Sequence, residues 1–294
     1  MKNKTILPTI AAILTNVIFG FSFLFSTVAL RHAHPLLILQ IRFTVAFAVL
    51  NLLWLLGILK LDFKGKSKRR ILCMAVAQPL LYYVFELYGI ELTSSAISGV
   101  IISLVPVAVL LMSTVFLKEK PTRIQVAFSL LSLASVSAIS LMSDNGAKSS
   151  ALGVILLLGA VICASVFNIL SRRESKEYSP VERTYIMFGL GCIGYNIISP
   201  LVIGNSYLSE LSGAAQSAEF WFSIIYLGII SSIVAFLLYN YSTTYISSVR
   251  SASFSNLITV VSVFAGIFIL QEQLSIPQII CSALIIIGVF GVNK

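Results

Sequence analysis

The sequence predicts an all-α membrane protein of ten transmembrane helices, arranged as two inverted five-helix repeats with both the N- and C-termini cytoplasmic. Three observations carry that prediction: an apolar share of 58% against 11% charged residues, ten apolar windows of spanning length, and self-similarity at a fixed offset of 153 residues. A mean hydropathy of +0.98 lies far outside the range of soluble domains. A helix needs ~20 mostly apolar residues to cross the ~30 Å hydrocarbon layer. A ~19-residue window finds ten such stretches, which fill nearly the whole chain.

Taken in order, the first span, 6–29, follows Lys2 and Lys4 and so imitates a signal peptide, but its apolar run is long and no small-residue cleavage pattern interrupts it. The second, 35–58, carries Arg42, and the third, 71–92, carries Glu86. The fourth, 95–117, opens on serines and leads to Glu119; the fifth is 123–142. The sixth, 151–171, carries Asn168, and the seventh, 181–203, runs into the polar segment 204–219, which reads as an external loop with a short interfacial helix. The eighth, 220–243, carries Tyr239; the ninth, 247–270, carries Asn256 and Thr259; the tenth is 276–293.

A net charge of +9 would suggest nucleic acid in a soluble protein, so the position of the charges has to decide its meaning. With the N-terminus in the cytoplasm, only Arg31 and Lys148 of the 20 Lys and Arg face outward, and Arg42 lies within a span. The positive-inside rule then orients the chain, and no nucleic-acid partner is expected. Cys73, Cys163, Cys192 and Cys281 fall inside spans with no CxxC pair and no neighbouring His. They read as small apolar core residues, so neither a metal nor a cofactor is expected.

The 153-residue shift lays 94–120 on 247–273, matching Ser94/Ser247, Ser98/Ser251, Leu104/Leu257, Leu117/Leu270 and Glu119/Glu272. It also pairs Tyr88 with Tyr241 in the preceding span and Gln125 with Gln278 in the following one. A shift of 145 matches Pro35 with Pro180 and Phe43 with Phe188. Five spans per half is odd, so the second copy, 147–294, enters from the face opposite to the first, 1–146. This predicts a pseudo-two-fold axis in the membrane plane and a central cavity at the midplane.

The stretches NVIFGFSF (16–23), HPLLILQIRF with Arg42, LVPVAVLLMSTVFLKEK with Pro106 and Glu119, and AGIFILQEQL with Glu272 carry a family resemblance over all ten spans. The chain resembles the EamA-type members of the drug/metabolite transporter superfamily. Two departures stand out: the usual Trp-Gly pair of the first span is Phe19-Gly20, and Thr259 occupies the repeat counterpart of Pro106. The resemblance implies a ten-helix carrier in the cell membrane without a bound organic cofactor. Its members move amino acids, amines, sugars or other metabolites, so it names a class of function and no solute.

Ionisable residues inside spans are the sharpest functional signal, because a charge at the bilayer centre costs ~2.5–3.5 kcal/mol even on the lenient insertion scale. Glu86 stands in QPLLYYVFELYGIEL (78–92), ~8 Å from the expected outer end of its span at 1.5 Å per residue. Helical spacing puts Gln78, Tyr82, Phe85, Glu86 and Gly89 on one stripe. A carboxyl among aromatics can exchange a proton, or pair with a cationic solute held against Tyr82, Phe85 or Tyr88; the alternative is a paired or protonated packing residue. Arg42 either anchors an anionic group or bonds to Gln40, Asn51 or a neighbouring carbonyl. Asn16, Asn168, Tyr239 and Asn256 are further polar groups that need partners in lipid. Tyr239 is the repeat counterpart of Glu86, which makes the expected site asymmetric.

The function expected is secondary transport by alternating access of a small-molecule solute, an amino acid, amine or other cationic or zwitterionic metabolite, with protons as the candidate coupling ion. The bilayer is the main partner, and a monomer accommodates the design. A membrane-embedded enzyme would need catalytic groups, yet His32 and His34 are the only histidines and no HExxH, paired-Asp or nucleophile-elbow motif appears, so no catalytic residue is assigned. A channel would need a selectivity filter or charged ring, and neither is visible in the sequence.

Overall fold

The computed structural model describes residues 3–116, 122–142, 150–245, 254 and 256–292. Among these, all regular structure is helical. Helix α1 is Asn3–Leu30 and α2 Pro35–Leu55; α3 (Lys68–Ala75) and α4 (Tyr82–Glu91) are joined by an irregular stretch, Val76–Leu81. Next come α5 (Ser95–Ile102), α6 (Val105–Phe116), α7 (Arg123–Met142), α8 (Ala151–Glu174) and α9 (Pro180–Ile203). A one-turn 3-10 segment precedes α10 (Tyr207–Ala215); α11 (Ala218–Ile225) continues through a wide-turn stretch, Tyr226–Val234, into α12 (Ala235–Tyr245). Helix α13 (Asn256–Phe264) widens over Ala265–Ile269, and α14 is Ile276–Val292.

Among the described residues, seven helical stretches are long and apolar enough to cross a membrane, and three shorter apolar ones lie in 123–135, 257–269 and 276–288. The polar segment 204–219, expected as a loop with a short helix, contains the nine-residue α10. The expected residues Glu119 and Asn256 are treated differently: Glu119 lies outside the described residues, and Asn256 begins α13 with its side chain outside them.

Burial is inverted relative to a soluble protein. Serines and threonines such as Ser95, Ser98, Ser165, Ser231, Thr184 and Thr259 are fully buried, whereas Leu55, Ile155, Leu201 and Phe268 are exposed. Apolar side chains need no shelter in lipid, so close packing and hydrogen bonding hold the helices instead. Helix α1 packs on α12 and α13, α2 on α9, α4 on α8, α5 on α13, and α7 on α14. At the α5–α13 crossing a Cβ on Gly99 would collide with the side chain of Ser262, and Thr259 Oγ1 donates to the Gly99 carbonyl at 3.3 Å.

Helix starts follow capping chemistry. Ser150 accepts from Gly153 N at 3.1 Å, and Ser179 with Glu182 forms a reciprocal capping box ahead of Pro180. Helix α5 is capped twice: Ser94 Oγ accepts from Ile97 N, and Glu272 reaches across to accept from Ser95 N at 2.8 Å and Ala96 N at 3.0 Å. The turn that aims Glu272 passes through Gln271 at φ 55° and is closed by Glu272 N donating to Gly266 O at 2.9 Å.

Two charge-assisted bonds to an open helix end predict that Glu272→Gln lowers stability by on the order of 2 kcal/mol. Thermal unfolding of the purified protein in detergent checks this; a melting temperature unchanged to within about a degree would show that the cap is dispensable.

Candidate functional site

The site is built where an interrupted helix and a wide-turn one face α1 and α8. In the third apolar stretch, helical spacing predicts a continuous helix over 71–92; the structure corrects this at Gln78, whose backbone is extended (φ −147°, ψ 118°). Pro79 follows it and cannot donate to an intrahelical bond, and the Tyr195 hydroxyl reaches the carbonyls of Pro79 and Leu80 at 3.1 and 2.6 Å. The opposite wall is α12, just past the wide turns of 226–234.

Between them lies a cavity of about 70 Å³ lined by Asn16 and Phe19 of α1, Gln78 and Tyr82, Phe167 and Asn168 of α8, and Phe236 and Tyr239 of α12, among others. The rings form a connected wall: Phe167 stacks on Tyr239 with centroids 5.6 Å apart, meets Phe236 edge-on at 6.0 Å, and Phe236 touches Phe19 at 5.2 Å. Asn16 donates to Ala12 O at 2.6 Å. Asn168 is buried and its Oδ1 has no hydrogen-bond partner. No side chain lining the cavity carries a formal charge.

Of the residues expected from sequence, Asn16, Tyr82, Asn168 and Tyr239 therefore meet on one cavity. Glu86 stands behind them: it is buried, and its Oε1 accepts from the Tyr82 hydroxyl at 2.7 Å. Phe85 and Gly89 do not share the cavity face, because the i, i+4 pair they form is turned onto α8, Phe85 over Gly159 and Gly89 against Leu157. Tyr88 is turned toward His34, edge-on at 6.0 Å.

Arg42 is fully buried and bonds to none of the partners expected for it. Its Nε donates to Ser232 Oγ at 3.0 Å, and Nη2 donates to Ser231 Oγ at 3.2 Å and Tyr83 Oη at 3.1 Å. The guanidinium also lies 4.2 Å from the Tyr83 ring centroid. Gln40 is instead engaged with Asn196 and Tyr207, and Asn51 with Phe47 O and Tyr185. Gln40, two residues back, projects from another side of the helix, and Asn51, nine residues on, lies roughly 13 Å along its axis, so the hydroxyls of neighbouring helices are nearer to Arg42.

Sequence reasoning missed the aromatic wall of Phe19, Phe167 and Phe236, and the full burial of Arg183. Arg183 donates to Ser171 O and Oγ, both at 2.9 Å, and to Asn240 O at 2.6 Å, near the ends of α8 and α12. Its position three residues past Pro180 was the available signal, since it places a cation inside the first turn of a helix. A second, larger cavity of about 910 Å³ lies at the far end of α1, lined by Thr27, Arg31, Glu91, Ser94 and Glu272.

The structure is thus a helical one enclosing a small amide-and-aromatic cavity beside a broken helix and a wide-turn one. The EamA-like transporter family model matches residues 7–141 and again 151–294, and the chain belongs to that family. It is 33% identical to the uncharacterized transporter YcxC of Bacillus subtilis (strain 168), covering 100% of this chain and 95% of the relative. It is 26% identical to an uncharacterized transporter of Archaeoglobus fulgidus, covering 96% of each. A protein of known crystal structure shares the fold, with a TM-score of 0.66 over 97% of this chain and 96% of its own at 20% identity. The chain is thus a multi-pass membrane transporter of the EamA type.

Replacing Arg42 by Lys keeps the charge but removes the rigid fork that serves three hydroxyls. Arg42→Lys is expected to lower stability by on the order of 1–3 kcal/mol. An unchanged melting curve would mean that the hydroxyl triad contributes nothing.

Proposed function

We propose that the protein is a secondary transporter that moves a small metabolite across the cell membrane by alternating access, with ten membrane-spanning helices in two inverted halves, 1–146 and 147–294, and both termini in the cytoplasm. The observation that carries this reading is the cavity itself, set beside the break in the helix at Gln78 and the wide-turn stretch Tyr226–Val234. The 153-residue shift carries 76–81 onto 229–234, inside that wide-turn stretch, so both halves depart from the regular α-helix at matching positions, which supports a binding site there. Three shorter apolar helices beside the seven long ones among the described residues are compatible with ten spans.

The expectation of a cationic or zwitterionic amino acid or amine rests on Glu86 meeting the solute. With Glu86 set behind Tyr82, the carboxyl is better placed to exchange a proton than to hold the solute, and Tyr82 is the one side chain that touches both. Proton coupling through Glu86 is accordingly part of the proposal.

In proteoliposomes the protein is expected to give saturable counterflow of its solute and no unitary currents; currents without counterflow would replace the carrier by a channel. Glu86→Gln, neutral at every pH, is expected to keep counterflow and abolish accumulation driven by an imposed pH gradient. Accumulation undiminished in that variant would remove Glu86 from coupling. A fluorescent-protein fusion after Lys294 is expected to fluoresce and an alkaline-phosphatase fusion there to be inactive; the reverse would invert the orientation.

A further inference from the structure

We propose that the cavity selects an uncharged, single-ring heteroaromatic solute that presents an N–H donor beside an acceptor, the edge found in a pyrimidine lactam or a pyridine carboxamide. The inference rests on the carrier reading and names the chemistry of its site.

Charge is decided first. The lining supplies amides, phenols and hydrocarbon but no counter-charge, and a charged group buried without a partner is strongly disfavoured. Glu86 does not change this, because the Tyr82 hydroxyl bonded to its Oε1 at 2.7 Å stands between that oxygen and the cavity.

Shape comes next. Phe167 and Tyr239 lie nearly parallel, at 29°, and with Phe19 and Phe236 they present flat π-faces and edges over one side of the space. Such a wall favours planar rings through offset and edge-on contacts. A volume of about 70 Å³, at ~10–15 Å³ for each, corresponds to about five to seven water-sized positions. That is one ring and little more.

Polar recognition falls to Asn168. Asn168 is only 4% exposed and its Oδ1 has no partner among the described residues. A buried acceptor left empty is costly, so the site discriminates against a ring with no N–H to offer. An Asn amide presents a donor and an acceptor in one plane, the complement of a lactam or carboxamide edge, as in its paired bonds to adenine. Asn16 lines the same cavity 152 positions earlier in the chain, within one residue of the repeat shift, and Gln78 lines it too, so the first half brings two amides and the second, through Asn168, one.

The test is binding to the full-length protein in detergent, by calorimetry and thermal shift, with uracil and nicotinamide as probes. Phenol serves as the ring without the amide edge, benzylamine as the cation and benzoate as the anion. Uracil or nicotinamide is expected to bind at least tenfold more tightly than the other three. Asn168→Leu is expected to abolish that preference. If Asn168→Leu does not fold, the isosteric Asn168→Asp keeps the proposal open to refutation: it is expected to lose uracil and gain benzylamine. Tighter binding of benzylamine or benzoate by the native protein, or a preference unaltered by either variant, would overturn the assignment. Counterflow of another solute without binding of any ring would overturn the assignment and leave the carrier standing. Absence of counterflow together with unitary currents would bring down the carrier reading itself.

Discussion

The structure turns on a guanidinium that has no carboxylate bonded to it. Arg42 sits in the apolar body of a lipid-embedded protein, where an unmatched charge is untenable, and its partners are the hydroxyls of Ser231, Ser232 and Tyr83. Two of these lie in the wide-turn stretch Tyr226–Val234, where Ser232 Oγ also donates to Leu227 O at 2.7 Å. Ser231 is held in turn by Ser22 of α1 at 2.7 Å. The wide-turn stretch and the arginine fit each other: its turns present two adjacent serines to Arg42, and without the cation the stretch would lose that ligand. Because Arg42 also fixes Tyr83, and Tyr83 meets Tyr82 edge-on at 4.9 Å, the same contact orients the wall of the cavity.

The two ends of the molecule are held by different chemistry. Where 60–70 meets the turn between α8 and α9, Lys66 pairs with Glu182 at 2.6 Å, and Arg70 with Glu174 and Glu177, both at 3.3 Å. Glu182 also accepts from Asp62 N at 2.9 Å while closing its own capping box. Exposed ion pairs contribute little singly, but here Glu174 and Glu182 are nearly fully buried, so the cluster fixes geometry as well as charge. At the far end of α1, the corresponding tie is the carboxylate of Glu272 on the start of α5, beside the large polar cavity. A rocking motion that opened that end would have to release Glu272 from the helix.

What could be read from sequence follows from how each feature is encoded. The helical stretches were legible because each is a run of apolar residues bounded by charge or by serine, and the apolar runs expected at 35–58, 151–171 and 181–203 appear as helices at 35–55, 151–174 and 180–203. Asn16, Asn168 and Tyr239 were legible as cavity residues because polar atoms in lipid must be turned inward. The aromatic wall was not: in a span where nearly every position is apolar, Phe167 differs in no way that periodicity can detect from a phenylalanine facing lipid such as Phe268. The stripe holding Glu86 was drawn too long: Gln78 and Tyr82 reach the cavity, but Phe85 and Gly89, further along the regular helix α4, lie against α8. Partner choice for Arg42 was beyond reach, since it depends on a helix about 190 residues away.

Separation of the carboxyl from the solute space has a consequence for coupling. A group that both bound the solute and exchanged protons would link the two events by direct competition. If Glu86 exchanges the proton as proposed, Tyr82 bridges the two events: it lines the cavity and its hydroxyl donates to Glu86. Protonating the carboxyl removes the charge that the hydroxyl serves and weakens its hold on that bond. The freed hydroxyl can then turn toward the cavity. The solute would thus sense the proton through the orientation of one phenol, and an uncharged solute could be driven by a proton it never touches. Such coupling requires Tyr82 to have two positions, and the irregular backbone just before it, where Gln78 leaves the helix, provides a place for that movement without disturbing the α4–α8 packing that anchors the rest of the helix.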